Sequence, residues 1–97
     1  MREFHLRDIL NVITGLKLAE NMDGYYYLLN YMMGTHLNPH QLSKAAAECK
    51  AYLLEQHPQL KDISCHGITA ENWQEWLERQ IQKYGQRLPI KPLSEKH

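Results

Sequence analysis

The chain has 97 residues, with 11 Lys plus Arg against 11 Asp plus Glu, 43% hydrophobic and 23% charged. That length closes one hydrophobic core with no room for a second domain, and the composition is that of a globular rather than a disordered chain. Formal neutrality argues against a strongly basic nucleic-acid binder and against an acidic mimic. The balance is also local: residues 1–34 carry −1, 35–66 carry 0 and 67–97 carry +1.

The opening Met1-Arg2-Glu3-Phe4-His5-Leu6-Arg7-Asp8 lacks the apolar run and cleavage site of a secretory signal. The longest nearly uncharged stretch, 24–39, is broken by Asn30, Gly34, His36 and Asn38, so no membrane span is expected. The chain reads as cytoplasmic, with Cys49 and Cys65 reduced.

Leu6, Ile9, Leu10 and Ile13 recur at helical spacing over 6–14, and Gly15 stops that helix. Residues 16–21 have no clear period and read as a connector. A second helix is predicted over 22–33, with Asn21 as N-cap, Asp23 in the first turn and Gly34 at the end. Tyr25, Tyr26, Tyr27, Leu28, Leu29, Tyr31, Met32 and Met33 surround it, which suits a central helix or half of an interface. The tyrosine run makes a strand the competing reading, and the Leu and Met pairs favour helix.

A third helix is expected from Asn38 as cap, with Pro39 at its first position and Gln41 completing a capping box, to its end before Pro58. Residues 59–67 read as a loop. The fourth helix runs from Thr69 as N-cap to Tyr84, with Trp73, Trp76, Leu77, Ile81 and Tyr84 as its buried stripe and Gly85 as its stop. The predicted fold is all-α: a single compact helical domain of about four helices, 1–85, and an extended Pro-containing tail, 86–97. Leu88, Ile90 and Leu93 are the anchors of a tail strapped over that domain.

Catalytic, metal and cofactor chemistry find little support. His36, His40, Cys49, His57, Cys65 and His66 carry ligand atoms, but there is no Cys-x-x-Cys pair and no His-x-x-x-His on a helix face. Cys49 falls mid-helix on the apolar side, where burial raises a thiol pKa. Cys65 before a helix start is the better nucleophile, with His66 beside it and no oxyanion loop. The five glycines are scattered singly and make no phosphate cradle. The chain is therefore expected to be neither an enzyme nor a metal or cofactor binder.

Two surfaces stand out for recognition. Tyr25, Tyr27, Tyr31 and Met33 form a candidate protein interface, with a homodimer as one use, because Tyr supplies contact area at low entropic cost and Met adapts to irregular surfaces. Their competing role is simply core. Arg79, Lys83, Arg87 and Lys91 at fourfold spacing form a candidate nucleic-acid contact, disfavoured by the absence of any strongly basic segment.

The sequence also resembles a small family of uncharacterised phage and prophage proteins. The resemblance runs through His5-Leu6-Arg7-Asp8-Ile9-Leu10, Thr14-Gly15, Met22-Asp23-Gly24, Leu29-Asn30-Tyr31-Met32, His40-Gln41-Leu42, Glu48-Cys49 and Gln56-His57-Pro58. It continues in Thr69-Ala70-Glu71-Asn72-Trp73, Tyr84-Gly85, Leu88-Pro89 and Pro92-Leu93, and departs at 16–20 and at Leu37-Asn38-Pro39. It implies genomic origin rather than mechanism. The expected function is that of a non-catalytic accessory protein that binds a host or phage protein, conceivably to inhibit a host defence or nuclease complex. A small nucleic-acid-binding regulator is the alternative.

Overall fold

The computed structural model describes residues 2–15, 23–63, 66–69 and 71–92. The four periodic segments are four helices: α1 (Leu6–Thr14), α2 (Asp23–Met33), α3 (Leu42–Gln56) and α4 (Trp73–Tyr84). The all-α expectation needs a correction. Two strands, β1 (Arg2–His5) and β2 (Arg87–Ile90), pair antiparallel and join the two ends of the described chain. The fold is mostly helical with a small two-stranded sheet.

Residues 87–90 are extended, as expected of the tail, but they are a strand because their alternation matches a pleat. Leu88 and Ile90 are buried, Arg87 and Pro89 exposed. Phe4 opposite Leu88 supplies the matching apolar residue on β1. Leu6 N–H donates to Gln86 C=O at 2.8 Å, which sets the phase of the ladder. Hydrogen-bonded pairs then fall at Phe4/Leu88 and Arg2/Ile90, and Pro89 sits where no N–H to β1 is required. The backbone groups of Arg87, Pro89 and Lys91 point to the far edge of β2. There His57 Nε2 meets Pro89 C=O at 2.7 Å, and the Gln56 amide pairs with both Lys91 N–H, at 2.7 Å, and Lys91 C=O, at 3.1 Å. The end of α3 thus covers that edge as another strand would.

The central helix is α1 rather than α2. Leu6, Ile9, Leu10, Val12 and Ile13 are buried, and so are Asp8 and Asn11, which carry burial around most of the helix. α1 packs on α2 and α3, and its buried residues share one core cluster with Leu28, Leu29 and Met32 of α2, Cys49, Tyr52 and Leu53 of α3, Trp76 and Leu77 of α4, and Leu88 and Ile90. Leu42, and Trp73 of the expected α4 stripe, are half-buried against this core.

Helices α3 and α4 start later than their capping residues suggest. Asn38 and Gln41 make the reciprocal side-chain bonds of a capping box, at 3.0 and 3.1 Å, yet these close a turn and regular helix begins at Leu42. Asn72 similarly accepts from Thr69 N–H at 2.7 Å and donates to Gly67 C=O at 3.0 Å, so these bonds hold a turn ahead of the helix and α4 begins at Trp73. The expected loop after Pro58 contains a 3₁₀ turn, Pro58–Asp62, which buries Leu60. The 16–21 connector, the Asn21 cap, Cys65 and Leu93 lie outside the described residues.

Candidate functional site: a cleft at the free edge of β1

The four residues of the expected protein interface do not share one surface. Successive helical residues turn by about 100°, which sets Tyr27 and Tyr31 on one flank of α2 and Tyr26, Asn30 and Met33 on the other. Tyr31 is half-buried, stacks at 5.1 Å on Phe4, and donates its hydroxyl to Ile90 C=O at 2.9 Å. It is a strut between α2 and β2. Tyr25 is half-buried toward α3, and burial pushes its phenol above the usual range. Met33 is half-buried on the opposite flank, and its side lines a shallow cleft of about 370 Å³ with Leu37 and Lys44. Tyr27 is 48% exposed, and Tyr26, not among the four, is 43% exposed. Among the described residues these two neighbours are the large hydrophobic side chains left in solvent. Tyr26 also lines an apolar cleft of about 350 Å³ with Leu37, Pro39 and Leu42.

The four cations expected to contact nucleic acid are likewise divided. Arg79 and Lys83 stay on α4, where the Lys83 ammonium lies 5.2 Å from the Tyr84 ring. The helix ends at Gly85, whose φ of 103° is outside the range of an ordinary side chain, and the fourfold spacing loses its helical meaning there. Arg87 is on β2 opposite His5, and Lys91 is bound through its backbone to Gln56.

Arg87 instead joins Arg2 and Arg7, from β1 and α1, around a further cleft. Its volume is about 600 Å³, and its walls are β1, the starts of α1 and α2, and Tyr27. The Arg2 guanidinium lies 5.0 Å from the Tyr27 ring centre, a cation–π geometry. The Arg87 guanidinium reaches Glu3 C=O at 3.5 Å. Arg7 Nε is 3.7 Å from the carboxylate of Asp8.

His5 sits between these groups. Its Nδ1 accepts the Arg7 N–H at 3.0 Å, capping α1, so the neutral ring carries its proton on Nε2. Burial, and then the nearby Arg7 charge, holds its pKa below the usual histidine value; Asp8 opposes this and Arg87 adds to it. Asp8 is buried against the first turn of α2, where a Cβ on Gly24 would lie 2.6 Å from Oδ2. Glycine at 24 is what lets a carboxylate approach the positive end of that helix.

The ligand atoms considered for metal or nucleophilic chemistry are dispersed. Among the described residues no group of three His, Cys, Asp or Glu is placed to hold a metal ion. His36, His40 and His66 are exposed, and His57 is engaged at the β2 edge. Cys49 is free and buried in α3, and burial pushes its thiol up to about 12. No described helix is long and apolar enough to cross a membrane.

Residues 4–63, from Phe4 of β1 to the end of the 3₁₀ turn, match the model of a family described as a domain of unknown function, DUF7736. The chain belongs to that family. No curated protein and no solved structure matches it. The DUF7736 stretch contains α1, α2 and α3 and the second half of β1. It therefore supplies most walls of the cleft, while Arg2, Glu3 and Arg87 come from outside the match.

The sequence reading missed this cleft because its parts are separated along the chain. The one available signal was Gly24, a glycine in the second position of a helix that has no obvious need for it.

Proposed function

We propose that the chain is a phage or prophage accessory protein that acts in the host cytoplasm by binding another protein, without catalysis of its own. The observation that carries this reading is the pair Tyr26 and Tyr27. Two adjacent aromatic side chains are held nearly half exposed on a rigid helix, one beside an apolar cleft and the other beside the arginine cleft. Rigid, amphipathic rings at the rim of concave surface supply binding area at small entropic cost. The dispersal of Arg79, Lys83, Arg87 and Lys91 removes the main argument for a nucleic-acid regulator.

Affinity capture from host and phage-infected lysates, with the Tyr26→Ser/Tyr27→Ser double variant as the matched control, tests this. A protein recovered by the wild type and lost from the folded variant is expected, with host defence and nuclease complexes as the first identities to check. Equal recovery by both baits would refute the role of the tyrosine pair.

A further inference from the structure

The two outer edges of the sheet are treated differently. Gln56 and His57 cover the edge of β2 with three side-chain contacts to backbone. The ladder phase points the N–H and C=O of Glu3 away from β2, to the free edge of β1. Among the described residues no helix or loop is laid along that edge; it borders the 600 Å³ cleft, whose opposite wall is Asp23, Gly24 and Tyr27 at the start of α2. A strand edge facing a helix across a groove is the arrangement in which an extended peptide adds to a sheet.

The charges say which peptide. Of the three carboxylates in the cleft, Asp8 is buried, packed on Gly24 and paired with Arg7. Asp23 stands in the first turn of α2, where the helix dipole favours it. The Glu3 side chain lies on the exposed face of the sheet, opposite that of Phe4. Arg2 and Arg87, by contrast, have no carboxylate within ion-pair distance among the described residues, and their contacts are a ring face and one carbonyl at 3.5 Å. Two guanidinium groups with unused donors flank a free strand edge.

We infer that this cleft binds an acidic, extended segment of the partner protein, which adds to β1 through the Glu3 backbone, takes the place of the long Arg87 contact on Glu3 C=O, and places carboxylates on Arg2 and Arg87. The inference rests on the protein-binding reading above and names its site. A polyphosphate strand fits less well, because the cleft holds as many carboxylates as guanidinium groups and can accommodate single anions rather than a continuous run of them. β1 spans about 13 Å, which matches a peptide of four to six residues.

The test is a titration of the isotopically labelled full chain, followed by backbone amide signals and by the Nε–Hε signals of arginine. The probes are a blocked Thr-Glu-Thr-Glu-Thr-Glu peptide, its Thr-Gln counterpart and a twelve-nucleotide oligothymidylate, all at one ionic strength. The acidic peptide is expected to shift Glu3, Arg2 and Arg87 saturably. Arg2→Gln with Arg87→Gln should weaken that binding by about tenfold, the loss of two partly exposed charge-assisted contacts. Glu3→Pro removes an N–H that makes no bond to β2, together with a carboxylate whose loss by itself would favour an acidic peptide, so it should abolish the shifts while the Phe4, Leu88 and Ile90 signals stay native. Equal binding of the Gln peptide, binding unchanged in either variant, or tighter binding of the oligonucleotide at the same signals would each overturn the inference. If these peptide results hold while lysate capture still shows no tyrosine-dependent partner, the site stands and the tyrosine reading fails. The reverse pattern sinks the site alone.

Discussion

Replacing Gly24 by alanine sets two effects of similar size against each other. A helix interior ordinarily gains up to about 1 kcal/mol from Gly→Ala, and somewhat less near an end. At position 24 the new methyl would lie 2.6, 2.7 and 2.8 Å from Oδ2, Oδ1 and Cγ of Asp8. Ordinary contact begins near 3.5 Å, so the carboxylate must retreat by roughly 1 Å. A surface side chain would do so at little cost, but Asp8 is only 7% exposed and is tied to Arg7. Overpacking of this kind costs about 1–3 kcal/mol. The expected net effect of Gly24→Ala is a destabilisation of about 1–2 kcal/mol. In an Asp8→Ala background the obstacle is gone, and the same change should stabilise by up to about 1 kcal/mol. The coupling of the double-mutant cycle is therefore about 2 kcal/mol, readable by urea unfolding followed through Trp73 and Trp76 fluorescence. If Gly24→Ala has the same sign and size in both backgrounds, the carboxylate is not what demands glycine there.

Three further outcomes are expected. His5 has a lowered folded-state pKa, so the unfolded chain binds the proton more readily; its contribution to stability is complete above about pH 6.5 and is lost as pH falls through the folded value. The pH-dependence between 7.5 and 5 should be smaller in His5→Asn, which keeps an N-cap acceptor, and an identical profile would exclude His5 as a source. With Cys65→Ser as background, the buried thiol of Cys49, pushed up to about 12, should react with a disulfide probe at pH 8 about a thousandfold more slowly than an ordinary thiol; a rate near the unfolded one would contradict its burial. Gln56→Ala removes both bonds to Lys91, and hydrogen exchange at Lys91 should accelerate about tenfold, corresponding to roughly 1–1.5 kcal/mol of local opening; unchanged exchange would mean the edge is held by His57 alone.

Helix positions were legible in the sequence because the periodicity that defines them is local. Leu6, Ile9, Leu10 and Ile13, or Trp76, Leu77 and Ile81, announce a buried face within three turns. The sheet was not legible, since a four-residue strand holds two alternations and its partner lies more than 80 positions away. Phe4 is a single apolar residue among Arg2, Glu3 and His5, and only the opposed Leu88 gives it meaning. Caps misled for a related reason. Asn38 with Gln41 and Thr69 with Asn72 satisfy the same donors whether a helix or a turn follows. The candidate site was the least legible part. Arg87 was read with Arg79, Lys83 and Lys91 on a spacing of four, which means one face on a helix and one side on a strand, but nothing across the boundary at Gly85.

That boundary also explains why the family stretch and the folded unit differ in extent. Residues 4–63 carry three helices and half of one strand, and a lone strand has no partner for its N–H and C=O groups. Trp76, Leu77, Leu88 and Ile90, all beyond the match, are buried in the common core. β2 closes it by pairing with β1, by the Tyr31 hydroxyl on Ile90, and by the Gln56 and His57 contacts, which tie it to α2 and α3. The same strand delivers Arg87 to the free edge of β1. Stability and recognition are thus joined in one short segment: the pairing that buries Leu88 and Ile90 on one face of β2 sends Arg87 along the other, into a cleft built otherwise from the family stretch and the two residues just before it, Arg2 and Glu3.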